Sequence, residues 1–189
     1  PMKKDHPKVP ITISEIVNTG KACFGAGADA IHFHTRDKKG VHVLDSGLSK
    51  EALKELNLQV PKMHLQITTE AVGRYSPDQM RKLAYNVMPP GISIGIKEMI
   101  PANKPGLEDI KLYKHLTDSG TKIQHICYEP DDINLLADLL EKSKISKIGT
   151  WCMFVIGHYS GKISKPERIN SFIEKLKDNK IKADWAVCA

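Results

Sequence analysis

The chain has 189 residues, 41 % of them hydrophobic, and a formal charge of +6, which suits one domain with a real core. No run approaches the ~18 consecutive apolar residues of a membrane span, and the opening PMKKDHPKVP lacks the apolar segment of a secretory signal. A soluble, cytoplasmic protein with no membrane partner is therefore expected. The lysines are scattered singly and in short pairs with only 6 % aromatic residues between them, which argues against nucleic acid as a partner and leaves an anionic small molecule as the ligand a basic surface suits.

In chain order, Thr12 and Glu15 form a capping-box pair, and Ile13, Ile16, Val17, Cys23 and Phe24 follow at helical spacing. FGAGADA (24–30) leads from that helix into an apolar run, so its glycines cap and turn rather than forming a dinucleotide fingerprint, which would leave a strand and enter a helix. SKEALKELNLQV supplies a second helix. Ser76, Pro77 and Gln79 open a third, with Met80, Leu83, Ala84 and Val87 as its apolar face. Leu107, Ile110 and Leu116 mark a fourth, Ile133, Leu136, Leu139 and Leu140 a fifth, and Ile169, Phe172, Ile173 and Leu176 a sixth after Pro166. Between them lie apolar runs beginning near Ala28, Met63, Gly91, Lys122, Trp151 and Ala183, at spacings of 28 to 35 residues. That matches the ~30 residues of a strand-helix-strand unit.

Strands alternating with helices predict a parallel sheet covered by helices. Without a dinucleotide fingerprint, a (β/α)8 barrel of the TIM type is favoured over an open doubly wound sheet. A closed barrel has eight strands and ~250 residues, whereas six strands and six helices are countable here, starting on a helix and ending on a strand. Residues 1–189 are thus expected to form a single partial barrel domain lacking the first strand and the closing C-terminal segment. Cys23, Cys127, Cys152 and Cys188 form no CxxC and are expected to be reduced, mostly core thiols.

The chemistry concentrates in AIHFHTRD. Residues i and i+2 of a strand point to one face, so His32 and His34 project together just before the strand ends. In a barrel that is the rim where active sites are built. Two neutral imidazoles there suit a divalent metal such as zinc, and a hydrogen-bonded core pair is the competing reading. His6, His42, His64, His115, His125 and His158 show no comparable spacing, and His125 is expected to be a packed, hydrogen-bonded residue. LQITTE ends a strand with Thr68, Thr69 and Glu70, hydroxyls and a carboxylate suited to hydrogen-bonding a substrate. GISIGIKE places Ser93 mid-strand with Glu98 after it, and IQHICYE ends with Tyr128 and Glu129. Several polar strand ends in succession are what a catalytic rim predicts.

KACFGAGADAIHFHTRDKKG, LQITTEAVGRYSPDQ, PPGISIGIKE, FVIG and WAVCA, in this order, resemble the β-keto acid cleavage enzymes, and KKDHPKVPITISEI looks like that family's sequence after its first strand. The resemblance implies a zinc-dependent (β/α) barrel that exchanges acyl groups between a β-keto acid and acetyl-CoA, giving acetoacetate and a CoA thioester, and that assembles as a homo-oligomer. It makes His32 and His34 two metal ligands, Thr68 and Ser93 substrate-contacting hydroxyls, and Glu70 a specificity residue beside Thr69 in the TTE motif. The family's third metal ligand, a glutamate, and its neighbouring arginine and aspartate belong to a closing strand that these 189 residues do not contain; no catalytic base is assigned. Two alternatives remain at this point: a catalytically incompetent remnant of the family, and a metal-dependent barrel hydrolase, which also uses HxH on a strand.

Overall fold

The computed structural model describes residues 2–157 and 165–189. The elements in chain order are α1 (Ile13–Gly25), β1 (Ala30–Phe33), α2 (Ser46–Gln59), β2 (His64–Thr68), α3 (Pro77–Val87), β3 (Gly91–Gly95), α4 (Ile96–Met99), α5 (Leu107–Asp118), β4 (Lys122–Cys127), α6 (Asp132–Lys142), β5 (Ile148–Val155), α7 (Arg168–Asp178) and β6 (Lys182–Cys188). All six strands are parallel, in the spatial order β1 to β6, and form a curled half-barrel. Each expected strand and helix is present. The one-turn helix α4 is an addition, because GIKEM carries too few residues to show a helical period.

The helices begin where their caps dictate. Thr12 and Ser76 close capping boxes with Glu15 and Gln79, and the Asp45 carboxylate accepts from Leu48 N to start α2. α1 stops at GAG because Gly27 takes φ +97°, which turns the chain toward β1.

Alternation along each strand sorts the residues onto two faces. Toward the helices point Phe33, Leu65, Ile67, Ile92, Ile94, Cys127, Cys152 and Phe154, which with Leu56, Met80, Leu112, Leu136 and Phe172 make one continuous core. Phe154 stacks on Phe172 of α7 at 4.6 Å and on Trp185 of β6 at 5.6 Å. The cysteines divide evenly: Cys127 and Cys152 are buried in that core, and Cys23 and Cys188 are exposed. The other face of the sheet is the concave one. Register aligns Thr68, Ser93, Gln124, Trp151 and Asp184 across it in a single row.

No helix among the described residues is long and apolar enough to cross a membrane.

Candidate active site at the strand ends

His32 and His34 stand on the concave face at the end of β1, as period two requires. Register sets His32 beside Gln66 of β2, and the two side chains meet, His32 Nδ1 lying 2.6 Å from Gln66 Oε1. An amide oxygen only accepts, so His32 carries its proton on Nδ1 and leaves the lone pair on Nε2. His34 Nδ1 lies 3.5 Å from a Glu70 carboxylate oxygen, near enough for attraction but too long for a hydrogen bond that would fix the ring's tautomer. The two Nε2 atoms then face each other at 3.0 Å. Partial burial against the neighbouring residues lowers the His32 pKa and takes that of His34 to about 3, which favours the neutral rings. In the His34 case the neighbouring His32, His42 and Arg36 add to the effect.

A loop covers this pair. After β1 the chain reverses at Asp37, whose carboxylate accepts from the backbone of Lys39 and Val41, and a bridge pairs Arg36 with His42. That reversal carries His42 back until its ring is 4.9 Å from His34 and its Nε2–H donates to Glu70 O at 3.1 Å. Sequence spacing did not single out His42. The signal was the turn TRDKKG followed by the alternating VHV, which folds the chain back upon itself.

The hydroxyls separate into two roles. Thr68 faces the concave side and accepts from Glu70 N at 2.9 Å. Ser93 stands beside it in register, and its hydroxyl is buried without a partner among the described residues, as is Gln66 Nε2. Thr69, expected with the substrate-binding groups, faces the other way. It is fully buried, and its hydroxyl donates to Ser93 O at 2.9 Å, because consecutive strand residues point to opposite faces. Glu98, on α4, accepts from Ala71 N at 3.4 Å, and its pKa is raised by burial and by the Glu70 charge nearby.

Elsewhere the polar strand ends are structural. Arg168 of α7 donates to Tyr128 O and pairs with the Glu129 carboxylate, while Asp132 accepts from the backbone of both residues. His125 points to the helix side, where it stacks on Tyr113 at 5.7 Å and its Nδ1 contacts Trp151 O, the packed role expected of it. His158 lies outside the described residues. Among those described, no group of three His, Cys, Asp or Glu side chains could hold a metal ion, so β1 offers two donors.

A parallel β/α half-barrel whose first strands end in paired histidines, buried donors and carboxylates has the polar strand-end rim at which β/α barrels build their sites. Solved structures agree on the fold. One, titled "Binary complex of ObcA with oxaloacetate", superimposes with a TM-score of 0.72 over 96 % of this chain and 52 % of that one, at 12 % identity. A mandelate racemase/muconate lactonizing protein from Herpetosiphon aurantiacus does so with a TM-score of 0.52 over 94 % and 45 %, at 11 % identity. Residues 1–189 match the beta-keto acid cleavage enzyme family throughout, and the chain belongs to that family. It is 33 % identical over 69 residues to a 3-oxoadipate:acetyl-CoA acetyltransferase of Cupriavidus necator, covering 36 % of this chain and 24 % of that protein. It is 30 % identical over 80 residues to a 3-keto-5-aminohexanoate cleavage enzyme of Acetoanaerobium sticklandii, covering 42 % and 29 %. The matched stretch spans less than a third of either curated relative.

Proposed function

We propose that this chain carries the histidine half of a zinc-dependent site that exchanges acyl groups between a β-keto acid and acetyl-CoA, giving acetoacetate and a new CoA thioester. The observation that carries this reading is the converging His32 and His34 Nε2 pair. With the His32 proton on Nδ1, its Nε2 lone pair is aimed at His34 Nε2 at 3.0 Å; an N–H of His34 satisfies it in the metal-free pair, and a cation that displaces that proton would take both nitrogens. Zinc–nitrogen bonds of ~2.0–2.1 Å at a tetrahedral angle set ligand nitrogens about 3.3 Å apart, so the pair needs only a small adjustment. Gln66 would be the outer group that fixes the tautomer and orientation of His32, with the Glu70 carboxylate attracting His34.

When bound, the metal supplies Lewis-acid polarisation of the β-keto oxygen. The chain's own groups bind and orient the acid. Ser93 Oγ and Gln66 Nε2, both buried donors without partners among the described residues, suit a carboxylate or a developing enolate oxygen. Thr68 can donate its hydroxyl proton to the same ligand while it accepts from Glu70 N. Thr69 positions Ser93 by holding its carbonyl.

The test is zinc titration of the chain and of His32→Ala and His34→Ala, with circular dichroism as the control for folding. Each substitution should weaken zinc binding at least ~100-fold with the spectrum unchanged, since each removes one of two protein ligands. Wild-type zinc affinity in both variants would refute the site. Acetoacetate formed from a β-keto acid only when acetyl-CoA is supplied would establish the reaction.

A further inference from the structure

The concave face is polar over β1 to β3 and apolar over the upper ends of β4 to β6. Register places Gly95, Ile126, Met153 and Ala186 side by side in the row directly above Ser93, Gln124, Trp151 and Asp184, toward the strand ends. Ile126, Met153 and Val155 are half-buried and belong to no part of the helix-side core, whose residues on these strands are Cys127, Cys152 and Phe154. They therefore line the same concavity as the histidines.

The charges of this wall lie lower. Lys122 and Lys182 are the first residues of β4 and β6, four residues back from Ile126 and Ala186, which at ~3.3 Å per residue is about 13 Å. Asp184 stands in the Trp151 row, one step below Met153 and Ala186. Among the inward positions of the upper rows of β4 to β6 no described residue carries a cation.

Resting on the cleavage reading above, we infer that the Ile126–Met153–Val155 wall receives the tail of the β-keto acid, and that the substrate class is β-keto acids with an uncharged, apolar chain. The head of such a molecule, its carboxylate and keto oxygen, meets the buried donors of the polar side, at Gln66, Thr68 and Ser93. Its tail then crosses to β4 and β5. An alkyl tail gains about fourfold in affinity for each methylene buried there. A terminal carboxylate, as in the substrate named for the Cupriavidus relative, would be desolvated against Ile126 and Met153 and would meet the Glu98 carboxyl, which lies against Gly95 beside Ile126. That disfavours it on the order of 100-fold. An ammonium group, as in the substrate named for the Acetoanaerobium relative, would lose its hydration against the same apolar side chains.

The experiment labels the methionine methyls with carbon-13 and titrates the zinc-supplemented chain with 3-oxohexanoate, 3-oxoadipate and 3-keto-5-aminohexanoate, the Met153 signal being assigned with Met153→Leu. The same three acids are assayed for acetyl-CoA-dependent acetoacetate. The Met153 methyl should shift saturably with 3-oxohexanoate at concentrations about 100-fold below those needed for 3-oxoadipate. Met153→Lys should reverse that order. Tighter binding or faster turnover of either charged acid overturns the inference and leaves the cleavage reading standing. A saturable Met153 shift with 3-oxohexanoate but no acetoacetate from any acid supports the wall and refutes the cleavage reading. A silent Met153, or an order of preference unchanged by Met153→Lys, shows that the tail binds elsewhere and overturns the assignment.

Discussion

Replacing His125 with Gln should flatten the dependence of stability on pH. The ring is 5 % exposed, stacked on Tyr113 and tied to Trp151 O. Burial lowers its pKa from the ordinary 6.5 to about 4, against the smaller opposing effect of the Trp151 carbonyl. The folded pKa lies below the unfolded one, so between these values the unfolded chain binds more protons. Stability is full above about pH 6.5, falls as the pH drops through that value, and stops falling below about pH 4. Between pH 7.5 and pH 5 the linkage amounts to about 2 kcal/mol for this one group. Urea denaturation of both proteins at the two pH values measures it. His32 and His34 are shifted in the same direction, so the wild type loses more than His125 alone accounts for, and the quantity to compare is the difference between wild type and variant. An equal loss of stability in both proteins would show that His125 is not held neutral in the fold, and the reasoning from its burial would fail.

Gly91→Ala should destabilise the sheet by about 1–3 kcal/mol, because a Cβ there would stand 2.8 Å from Leu65 O on the neighbouring strand; a shift in the urea midpoint reads this directly. Phe172→Ala should cost about 3–5 kcal/mol, since Phe172 is fully buried and supports the Phe154 ring that in turn stacks on Trp185; near-ultraviolet circular dichroism should lose intensity along with the thermal midpoint. Gln66→Leu should weaken zinc binding about 10–100-fold while leaving far-ultraviolet dichroism intact, because His32 would lose the acceptor that fixes its Nδ1 proton; unchanged affinity in a competition titration would remove Gln66 from the site.

The sequence by itself determined whatever depends on neighbours along the chain. Capping at Thr12 and Ser76, the glycine turn at Gly27 and the apolar face of α3 are local, and each stands where its residues require. The roughly 30-residue alternation was enough for a parallel β/α sheet, and period two alone put His32 and His34 on one face. What tertiary structure decided is which side chains from distant strands meet. Gln66 reaches His32 across 34 residues of chain, and Thr69 turns its hydroxyl to Ser93 O across 24. His42 returns to Glu70 only because the Asp37 turn reverses the chain. Ile126 and Met153 look like core in the sequence, where an inward-facing and a helix-facing hydrophobe are indistinguishable. Only register with Ser93, and through it with the histidine face, assigns them to the concavity. The physical reason is one of range: caps and periods act over a few residues, whereas strand register is fixed by packing and hydrogen bonding between segments that the chain keeps about thirty residues apart.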